Sequence, residues 1–432
     1  MSAVVDKYLA LYAEAEARVV QSAYAEVKTP FEVAVVVPLC GESPAFLAGL
    51  EAAALATPGL LVVVVVNAEV GASPAVLAAN AQLVAALTAQ AFEPRVVGPL
   101  LQQLPHPLAP ILLVDRGQAP HLFPPKTGVG LARKLGSDVV LGLWRAGAVR
   151  SPWIYHCDAD TTLPAAHFQR RMPESGAVSF PFAHVPSGNA EIDLATFEYE
   201  ARLRYHLLGL RFAGSPFAYH SLGSSLAVHA LSYARVRGFP KRAAGEDFYL
   251  LDKVNKIDRV HTLFGEPERI AARRSDRVPF GTGAAVEKLI SGEPLQVDTP
   301  AAYAVLRQFY ERIEQVVAAH QFAPLGDWLQ QSAQAGLRQA AEALGVEAAF
   351  EEALRQTRTD TDLRRRLHGW FDGLKALRLL HGLRVMHPAV GLATALREAP
   401  FLPSRYPSPG AAEGSLGFWV AVCDQLRVLE SA

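Results

Sequence analysis

The stretch LLVVVVVN, residues 60–67, is an unbroken run of apolar and mostly β-branched side chains. A strand with one face toward water alternates apolar and polar residues, whereas a strand that is covered on both faces does not. A second such run, FEVAVVVP at residues 31–38, precedes it, and ILLVD at 111–115 and WIYHC at 153–157 follow it. The sequence therefore predicts a mainly parallel sheet with helices on both faces.

Segments with helical spacing separate these strands, and strands that alternate with helices are typical of an α/β domain. Helices are expected at residues 1–28, about 43–56, 74–92 and 129–149. A Pro-rich stretch at 98–110 predicts a surface loop, and a fifth strand is expected at 177–182.

The chain changes character after about residue 299, where the Val runs end and Leu363, Leu367 and Trp370 mark an amphipathic helix. We predict three regions: an N-terminal helix packing on the core (1–30), an α/β catalytic domain (31–298) and an all-helical C-terminal region (299–432). Residues 398–417, rich in Pro, Gly and Ser, predict a loop.

The composition restricts the class of protein. The chain has 41 basic and 42 acidic residues and a formal net charge of −1, so no overall field attracts nucleic acid or an anionic membrane. Its cysteines, Cys40, Cys157 and Cys423, form no CxxC pair, which favours a reducing compartment. No aliphatic run approaches the ~20 residues that span a bilayer, and no signal peptide is apparent. We expect a cytoplasmic protein with no nucleic-acid partner and no integral membrane contact.

Two aspartates, Asp158 and Asp160, follow the strand WIYHC in the sequence DADTT. Ligands of open parallel sheets bind beyond the carboxyl ends of the strands. Two carboxylates in one turn at that edge suit Mg²⁺ or Mn²⁺, which also binds the oxygens of a diphosphate. A second Asp-x-Asp, residues 360–362, precedes an apolar helical stretch and indicates only acids at a helix N-terminus.

A second acidic motif is Gly245-Glu246-Asp247, which precedes the apolar sequence FYLL. One interpretation is an acidic pair at the start of a helix. The other is that one carboxylate deprotonates an acceptor hydroxyl, which a carboxylate in a partly dry cleft near a metal can do.

The sequence KTGVGLARK, residues 126–134, is a basic, Gly-containing entry to a helix. Lys126 and Arg133 are candidates for contacting a donor diphosphate with the help of the helix N-terminus. The spacing is not that of a P-loop, and the alternative is a solvated basic helix start.

The order of these motifs resembles the nucleotide-diphospho-sugar transferases of the GT-A fold, especially glycosyltransferase family 2. The resemblance covers roughly residues 31–290 and rests on VAVVVPLCGES, GVGLARKLGSD, HCDADTTLP, HSLGSSLAVHALSYARVRGFP and AGEDFYLLDKV, in that order. It implies a GT-A fold, a Mn²⁺ or Mg²⁺ ion, a nucleotide-sugar donor such as a UDP- or GDP-sugar, and a small-molecule or glycan hydroxyl acceptor.

The resemblance also implies roles for individual residues. The catalytic residues would be Asp247 and Glu246, with Asp247 the better candidate for the base. Those on the donor side would be Pro38, Glu42, Asn67, Asp115, Lys126, Arg133 and Asp158. Metal ligands would be Asp158, Asp160 and His261, with His156 and His220 as alternatives to the histidine. The acceptor side would include Gly223, Ser224 and Ser225.

The chain departs from the family pattern in three places. The second strand ends in Asn67 where an acid usually meets the nucleobase, and Asp115 is an alternative for that role. The QxxRW signature of processive members is absent, so a single transfer is favoured. In that region stands the basic loop 273–283, a candidate for closing over the diphosphate.

Other activities stay open on sequence alone. A sugar-phosphate nucleotidyltransferase usually has a Gly-rich loop with a basic residue after the first strand, and PLCGESPAF has one Gly and no Lys or Arg. A nucleotide-binding protein that has lost catalysis is the other alternative. Inversion would follow from a base at Asp247, and retention stays possible.

Overall fold

The computed structural model describes residues 2–274, 281–332, 335–403 and 412–431. Its strands are β1 (Val33–Leu39), β2 (Leu60–Asn67), β3 (Arg95–Gly98), β4 (Leu101–Leu104), β5 (Ile111–Arg116), β6 (Trp153–His156), β7 (Thr161–Thr162), β8 (Ala177–Ser179), β9 (Phe182–Val185), β10 (Leu226–His229), β11 (Val260–Thr262), β12 (Glu268–Ala271), β13 (Gln296–Val297) and β14 (Val390–Gly391). Its helices are α1 (Ser2–Leu11), α2 (Ala15–Ala23), α3 (Phe46–Ala56), α4 (Pro74–Ala89), α5 (Gly128–Arg145), α6 (Ala190–Phe212), α7 (Ala230–Arg235), α8 (Glu246–Ile257), α9 (Thr282–Ile290), α10 (Pro300–Ala319), α11 (Ala323–Gln331), α12 (Ala335–Leu344), α13 (Val346–Gln356), α14 (Asp360–Trp370), α15 (Gly373–Leu383), α16 (Leu392–Glu398) and α17 (Leu416–Ser431).

The described residues form two compact units, residues 1–186 with 221–284 and residues 187–220 with 285–432. The first unit is built on a sheet with the strand order β11-β8-β10-β6-β1-β2-β5-β4-β3. Its four central strands, β6, β1, β2 and β5, are parallel, and antiparallel pairs flank them. The predicted α/β fold with a mainly parallel sheet is confirmed.

The Val runs occupy the centre of this sheet because they are covered on both faces. Every residue of β2 is buried between β1 and β5. Helix α5 approaches one face so closely that a Cβ on Gly136 would lie 2.3 Å from Val36 Cγ1. Glycine at this helical position therefore allows the helix to reach the sheet.

The N-terminal segment differs from the single helix that was predicted, because it forms α1 and α2 with a break near Tyr12. Asp138 of α5 holds both pieces. The hydroxyl of Tyr8 donates to Asp138 Oδ1 at 2.6 Å, and the backbone N–H of Glu14 donates to Asp138 Oδ2 at 2.8 Å. The buried acid satisfies backbone and side-chain donors at this break.

The predicted loop at 98–110 was wrong, since β3 and β4 form a hairpin there. Residues 101–104 pair with β5, and Leu101 and Leu104 are buried. The prolines of the segment flank this short strand and do not interrupt it, which is why their number suggested a loop. The predicted strand 177–182 also divides, into β8 and β9, around Pro181.

The second unit is helical apart from the short β13–β14 pair. Its core includes side chains of α6, α10 and α17, among them Phe197, Tyr205, Phe309 and Trp419. Segment 187–220 therefore belongs with the helical residues, whereas the sequence placed it inside a domain ending at residue 298. Within the described residues, no helix combines the length and apolar character needed to cross a membrane.

Candidate functional site

The Asp158–Asp160 turn lies where parallel strand β6 ends, as the sequence predicted. The backbone N–H of Thr161 donates to the carbonyl of Asp158 at 3.2 Å, and that of Ala271 donates to the carbonyl of Asp160 at 2.8 Å. Since β7 also pairs with β12, the turn is held on both sides by main-chain hydrogen bonds. Its two carboxylates are half-buried at the carboxyl edge of the sheet.

Arg273 connects Asp160 to the loop after β1. Its Nη1 donates to Glu42 Oε1 at 3.0 Å, and its Nε donates to Asp160 Oδ2. Burial raises the pKa of Asp160, and Arg273 acts in the opposite direction. Glu42, predicted on the donor side, is thus beside the Asp158–Asp160 turn. The candidate loop 273–283 includes residues 275–280, which lie outside the described residues.

Arg133 lies at the centre of the site and is only 2% exposed. Its Nη2 donates to Asp158 Oδ1 at 2.8 Å, and its Nε donates to Glu246 Oε1 at 2.9 Å. Burial alone would lower the pKa of Arg133, but Asp158 and Glu246 outweigh it and raise the pKa. One guanidinium therefore joins the basic helix, the Asp158–Asp160 turn and the acidic pair.

The predicted acceptor segment reaches the same guanidinium. A Cβ on Gly223 would lie 2.3 Å from Arg133 Nη2, so only glycine leaves room for Arg133 here. Ser224 and Ser225 follow, both buried, with their hydroxyl oxygens 3.3 Å apart. The structure thus brings Gly223 into the site and leaves the two serines beneath it.

Asp247 begins α8 beside Glu246 and is half-buried. Burial and the neighbouring Glu246 raise its pKa, Arg133 opposes both effects, and the resulting pKa is about 7. Its Oδ1 accepts a hydrogen bond from the N–H of Phe248 at 2.7 Å. Glu246, in contrast, is ion-paired with Arg133. A carboxylate with a pKa near 7 can exchange a proton at neutral pH, which a general base requires.

The start of α5, where a diphosphate contact was predicted, has backbone N–H groups that bind the carboxylate of Glu69. It accepts from the backbone N–H of Lys126 at 3.0 Å and from that of Gly128 at 2.6 Å. Arg133, the other predicted diphosphate ligand, already binds two carboxylates. Glu69 thus caps this helix entry and Arg133 binds the acids of the site, and contact of Lys126 and Arg133 with a donor diphosphate stays a prediction.

Three further donor-side candidates have structural partners. The amide of Asn67 donates to the carbonyls of Leu39 and Val65, so it ties β1 to β2. Asp115 accepts from the N–H of Gly117 at 2.9 Å within its own turn. Pro38 lies inside β1, opposite Val65 of β2. These contacts account for the side chains of Asn67 and Asp115 without a nucleobase.

The predicted third metal ligand, His261, does not reach the Asp158–Asp160 turn. It is exposed on β11, at the edge of the sheet, and both β8 and β10 separate that strand from β6. His156 is buried with its Nε2 3.2 Å from Ser137 Oγ, and His220 belongs to the helical unit, where its Nε2 lies 3.0 Å from Glu430 Oε1. Among the described residues, no three Asp, Glu, His or Cys side chains could hold a metal ion together.

Two carboxylates still fit a hard divalent cation, because Mg²⁺ in nucleotide sites is commonly held by one or two carboxylates, with phosphate oxygens and water completing the shell. Asp158 and Asp160 supply such a pair from one turn. Each now pairs with an arginine, so a cation would have to replace Arg133 or Arg273 at the carboxylates.

Sequence reasoning missed a buried pair beneath this edge. His167 Nδ1 lies 3.5 Å from Glu268 Oε1, and both side chains are fully buried. Burial raises the pKa of Glu268 to about 8 and lowers the pKa of His167 to about 3. An isolated acid in a short strand carries no sequence signal. For Glu69 the sequence did carry a signal, since this residue follows the carboxyl end of a predicted strand.

Comparison with solved structures finds several similar chains, one of which is a glycosyltransferase. No protein-family model matches the chain, and no curated protein matches it. A mannosyltransferase from Pyrobaculum calidifontis, solved in complex with GDP-Man and Mn²⁺, aligns over 98% of this chain and 97% of its own at 15% identity and a TM-score of 0.35. A likeness of this degree does not establish a shared activity or a shared family.

Proposed function

We propose that the chain transfers a sugar from a nucleotide-sugar donor to a hydroxyl acceptor in a metal-dependent, single-transfer reaction. The observation that carries this proposal is the Arg133 guanidinium, which binds both Asp158 and Glu246 at the carboxyl edge of a parallel sheet. Ligands of such sheets bind at this edge. The assignment to the GT-A fold and to family 2 is part of the proposal.

On the donor side, Asp158 and Asp160 would hold a Mn²⁺ or Mg²⁺ ion, which neutralises charge on a departing nucleoside diphosphate when it is bound. Arg273 is the described cation nearest to Asp160, to which it is bonded. Once that carboxylate binds another cation, Arg273 becomes available to a diphosphate oxygen.

On the acceptor side, Asp247 takes the proton from the hydroxyl as its oxygen attacks the sugar. The pKa of about 7 supports this role, because it leaves Asp247 ionised but basic near neutral pH. Glu246 and Asp158 are both ion-paired with Arg133, whereas Asp247 forms no ion pair with it. A base placed on the acceptor favours direct displacement with inversion.

The donor side is tested by nucleoside-diphosphate binding with and without Mn²⁺ in a thermal-shift assay. A ligand at a hundred times its dissociation constant stabilises by about 2.7 kcal/mol, which the assay detects. Asp158→Ala and Asp160→Ala should lose the Mn²⁺-dependent shift. Asp360→Ala, in the exposed first turn of α14, is the matched control and should keep it. Equal shifts in all four proteins contradict the proposal.

The reaction type is tested by incubating the protein with UDP- and GDP-sugars and a panel of hydroxyl acceptors. Transfer releases a nucleoside diphosphate and a glycosylated acceptor. A nucleotidyltransferase would instead use a sugar phosphate and a nucleoside triphosphate and release pyrophosphate. Binding of the nucleotide without either reaction would identify a non-catalytic protein.

A further inference from the structure

Three exposed cationic side chains surround the helix that begins with the acidic pair. Arg237 follows α7, Arg242 lies in the loop that leads into α8, and Lys253 lies on α8 itself. We refer to Arg237, Arg242 and Lys253 as the basic cluster. The site described above uses none of them.

Both arginines are held in place by aromatic rings. The guanidinium carbon of Arg242 lies 4.1 Å from the ring centroid of Tyr249, and that of Arg237 lies 4.8 Å from the ring centroid of Tyr12. A stacked guanidinium contacts the ring through its face, so the N–H groups at its edge can still donate in its plane. This planar array of donors matches the oxygens of a phosphate group.

The members of the basic cluster form no ion pair with a carboxylate of the described residues. Two neighbouring lysines are paired, Lys241 with Glu14 at 2.7 Å and Lys256 with Asp252 at 2.8 Å. Among the described residues, no carboxylate lies within ion-pair distance of Arg237, Arg242 or Lys253. The cluster is therefore a local excess of positive charge on a chain whose formal net charge is −1.

The charges of the two arginines act on Lys253. Burial lowers the pKa of Lys253, Arg242, Lys256 and Arg237 lower it further, and Asp252 opposes them. An anion placed among these cations would oppose that effect and gain charge-assisted hydrogen bonds.

We propose that the basic cluster binds a phosphate group carried by the acceptor. Arg242 and Lys253 flank Asp247 along the chain, and the carbonyl of Arg242 accepts from the N–H of Gly130 at 3.0 Å, which fixes the loop against α5. The acceptor would thus be anchored by its phosphate on the side of the proposed base. The role of acceptor rests on the proposed function, whereas phosphate binding does not.

Phosphate binding can be measured without donor, metal or turnover. Glycerol 3-phosphate is titrated into the protein by calorimetry, with glycerol as the uncharged control. In a parallel arm, the protein is sedimented with vesicles of phosphatidylglycerol and phosphatidylcholine, and with vesicles of phosphatidylcholine alone. The first arm detects a soluble phosphate ester and the second a lipid headgroup.

The decisive variant is the double substitution Arg237→Gln with Arg242→Gln. The matched control is Lys241→Gln with Lys256→Gln, which removes the same amount of charge from lysines that are already paired. The first should weaken binding at least about tenfold in whichever arm shows it, because each arginine makes charge-assisted hydrogen bonds. The control should change it less than about twofold. Far-ultraviolet circular dichroism checks that both variants fold.

Loss of binding in the arginine variant alone, in either arm, supports the proposal and identifies the source of the phosphate. Equal losses in both variants would show a diffuse charge effect and overturn it, as would no binding by the wild-type protein in either arm. Failure of sugar transfer with intact phosphate binding would instead count against the proposed function.

Discussion

The arrangement of the site depends on Arg133. It forms ion pairs with Asp158 and Glu246, and it lies in a space that the missing side chain of Gly223 leaves open. Removing one partner of a buried ion pair costs more than the pair itself contributes, because the remaining charge stays buried. Changes at Arg133 are therefore expected to disturb several motifs together.

Asp247 is the residue whose protonation should control the rate. Because a general base acts in its ionised form, the transfer rate should rise with pH through about 7 and level off above it. Asp247→Asn keeps the shape but cannot accept the proton, so we expect the rate to fall at least ~10²-fold and the limb near pH 7 to disappear. Donor binding should stay close to that of wild type. A pH–rate profile of both proteins measures this.

Glu246→Gln is the companion variant for that experiment. It removes the partner of Arg133 and also a charge that raises the pKa of Asp247, so it should lower the rate and move the limb to a pH below 7 without abolishing it. A silent Asp247→Asn together with an inactive Glu246→Gln would assign the base to Glu246. If both variants stayed fully active, the acidic pair would be only a helix start.

Glu268 should make stability depend on pH. The pKa of Glu268 is about 8 in the folded protein and its ordinary value is 4.5. A raised pKa means that the folded state favours the protonated acid, so this contribution is complete below pH 4.5 and is lost as the pH rises to 8. A tenfold difference in proton affinity between the folded and unfolded states corresponds to about 1.4 kcal/mol.

The variant Glu268→Gln keeps the neutral form at every pH. As the pH rises from 5 to 8, the urea concentration at which this variant unfolds should therefore increase relative to that of the wild-type protein. His167 titrates in both proteins, so its effect cancels in the difference. A constant difference across this range would show that Glu268 does not titrate as described.

At the level of elements, the strands that are covered on both faces were predictable from the sequence. The Val runs of β1 and β2 are uninterrupted by polar residues up to Asn67, and their β-branched side chains and short length favour a buried strand. The β3–β4 hairpin was missed because two buried leucines in a four-residue strand are too few to outweigh the prolines around them. The break between α1 and α2 was missed because its stabilising partner, Asp138, is distant in the sequence.

The motifs of the site were predictable, but their contacts were not. The motifs containing Asp158, Glu246 and Gly223 were recognisable by residue type and order. Which cation each acid binds depends on distances between segments far apart in the chain. The sequence therefore could not show that Arg133 binds acids, that Glu69 caps α5, or that His261 lies at the far edge of the sheet.

Helix α5 offers a test of packing at the element scale. Gly136→Ala would place a methyl group 2.3 Å from Val36 Cγ1. Overpacking of this kind typically costs about 1–3 kcal/mol, which exceeds the gain in helix propensity from Gly to Ala. Urea unfolding should show this loss. Gly391→Ala, where nothing lies within 4 Å of the added carbon, is the control and should change stability little.

At the scale of the whole molecule, the two units are not consecutive in sequence. The helical unit takes residues 187–220 from the middle of the chain because α6 is buried beside α17. Arg204 of α6 is fully buried, bonded to Glu200 at 2.8 Å and to Glu430 at 2.6 Å. No local sequence pattern could assign α6 to a helix two hundred residues away.

This network of ion pairs predicts which part of the molecule a mutation would destabilise. Glu430→Gln leaves Arg204 with one carboxylate and should destabilise the helical unit by up to about 3–5 kcal/mol. Hydrogen exchange should accelerate in α6 and α17 and stay slow in β1 and β2. The control is Glu413→Gln, which removes an exposed partner of Arg397. Equal acceleration in both units would show that they open as one.

The central position of β1 has a consequence for synthesis of the chain. Its neighbour β2 leaves the ribosome soon after it, but β6, which pairs with its other edge, is made only when residues 153–156 have been translated. Until then a nascent chain carries a Val-rich strand with one unpaired edge, the kind of surface that joins other chains. A translation product that stops before β6 should accumulate in inclusion bodies, whereas one that continues through residue 156 can close that edge within its own sheet.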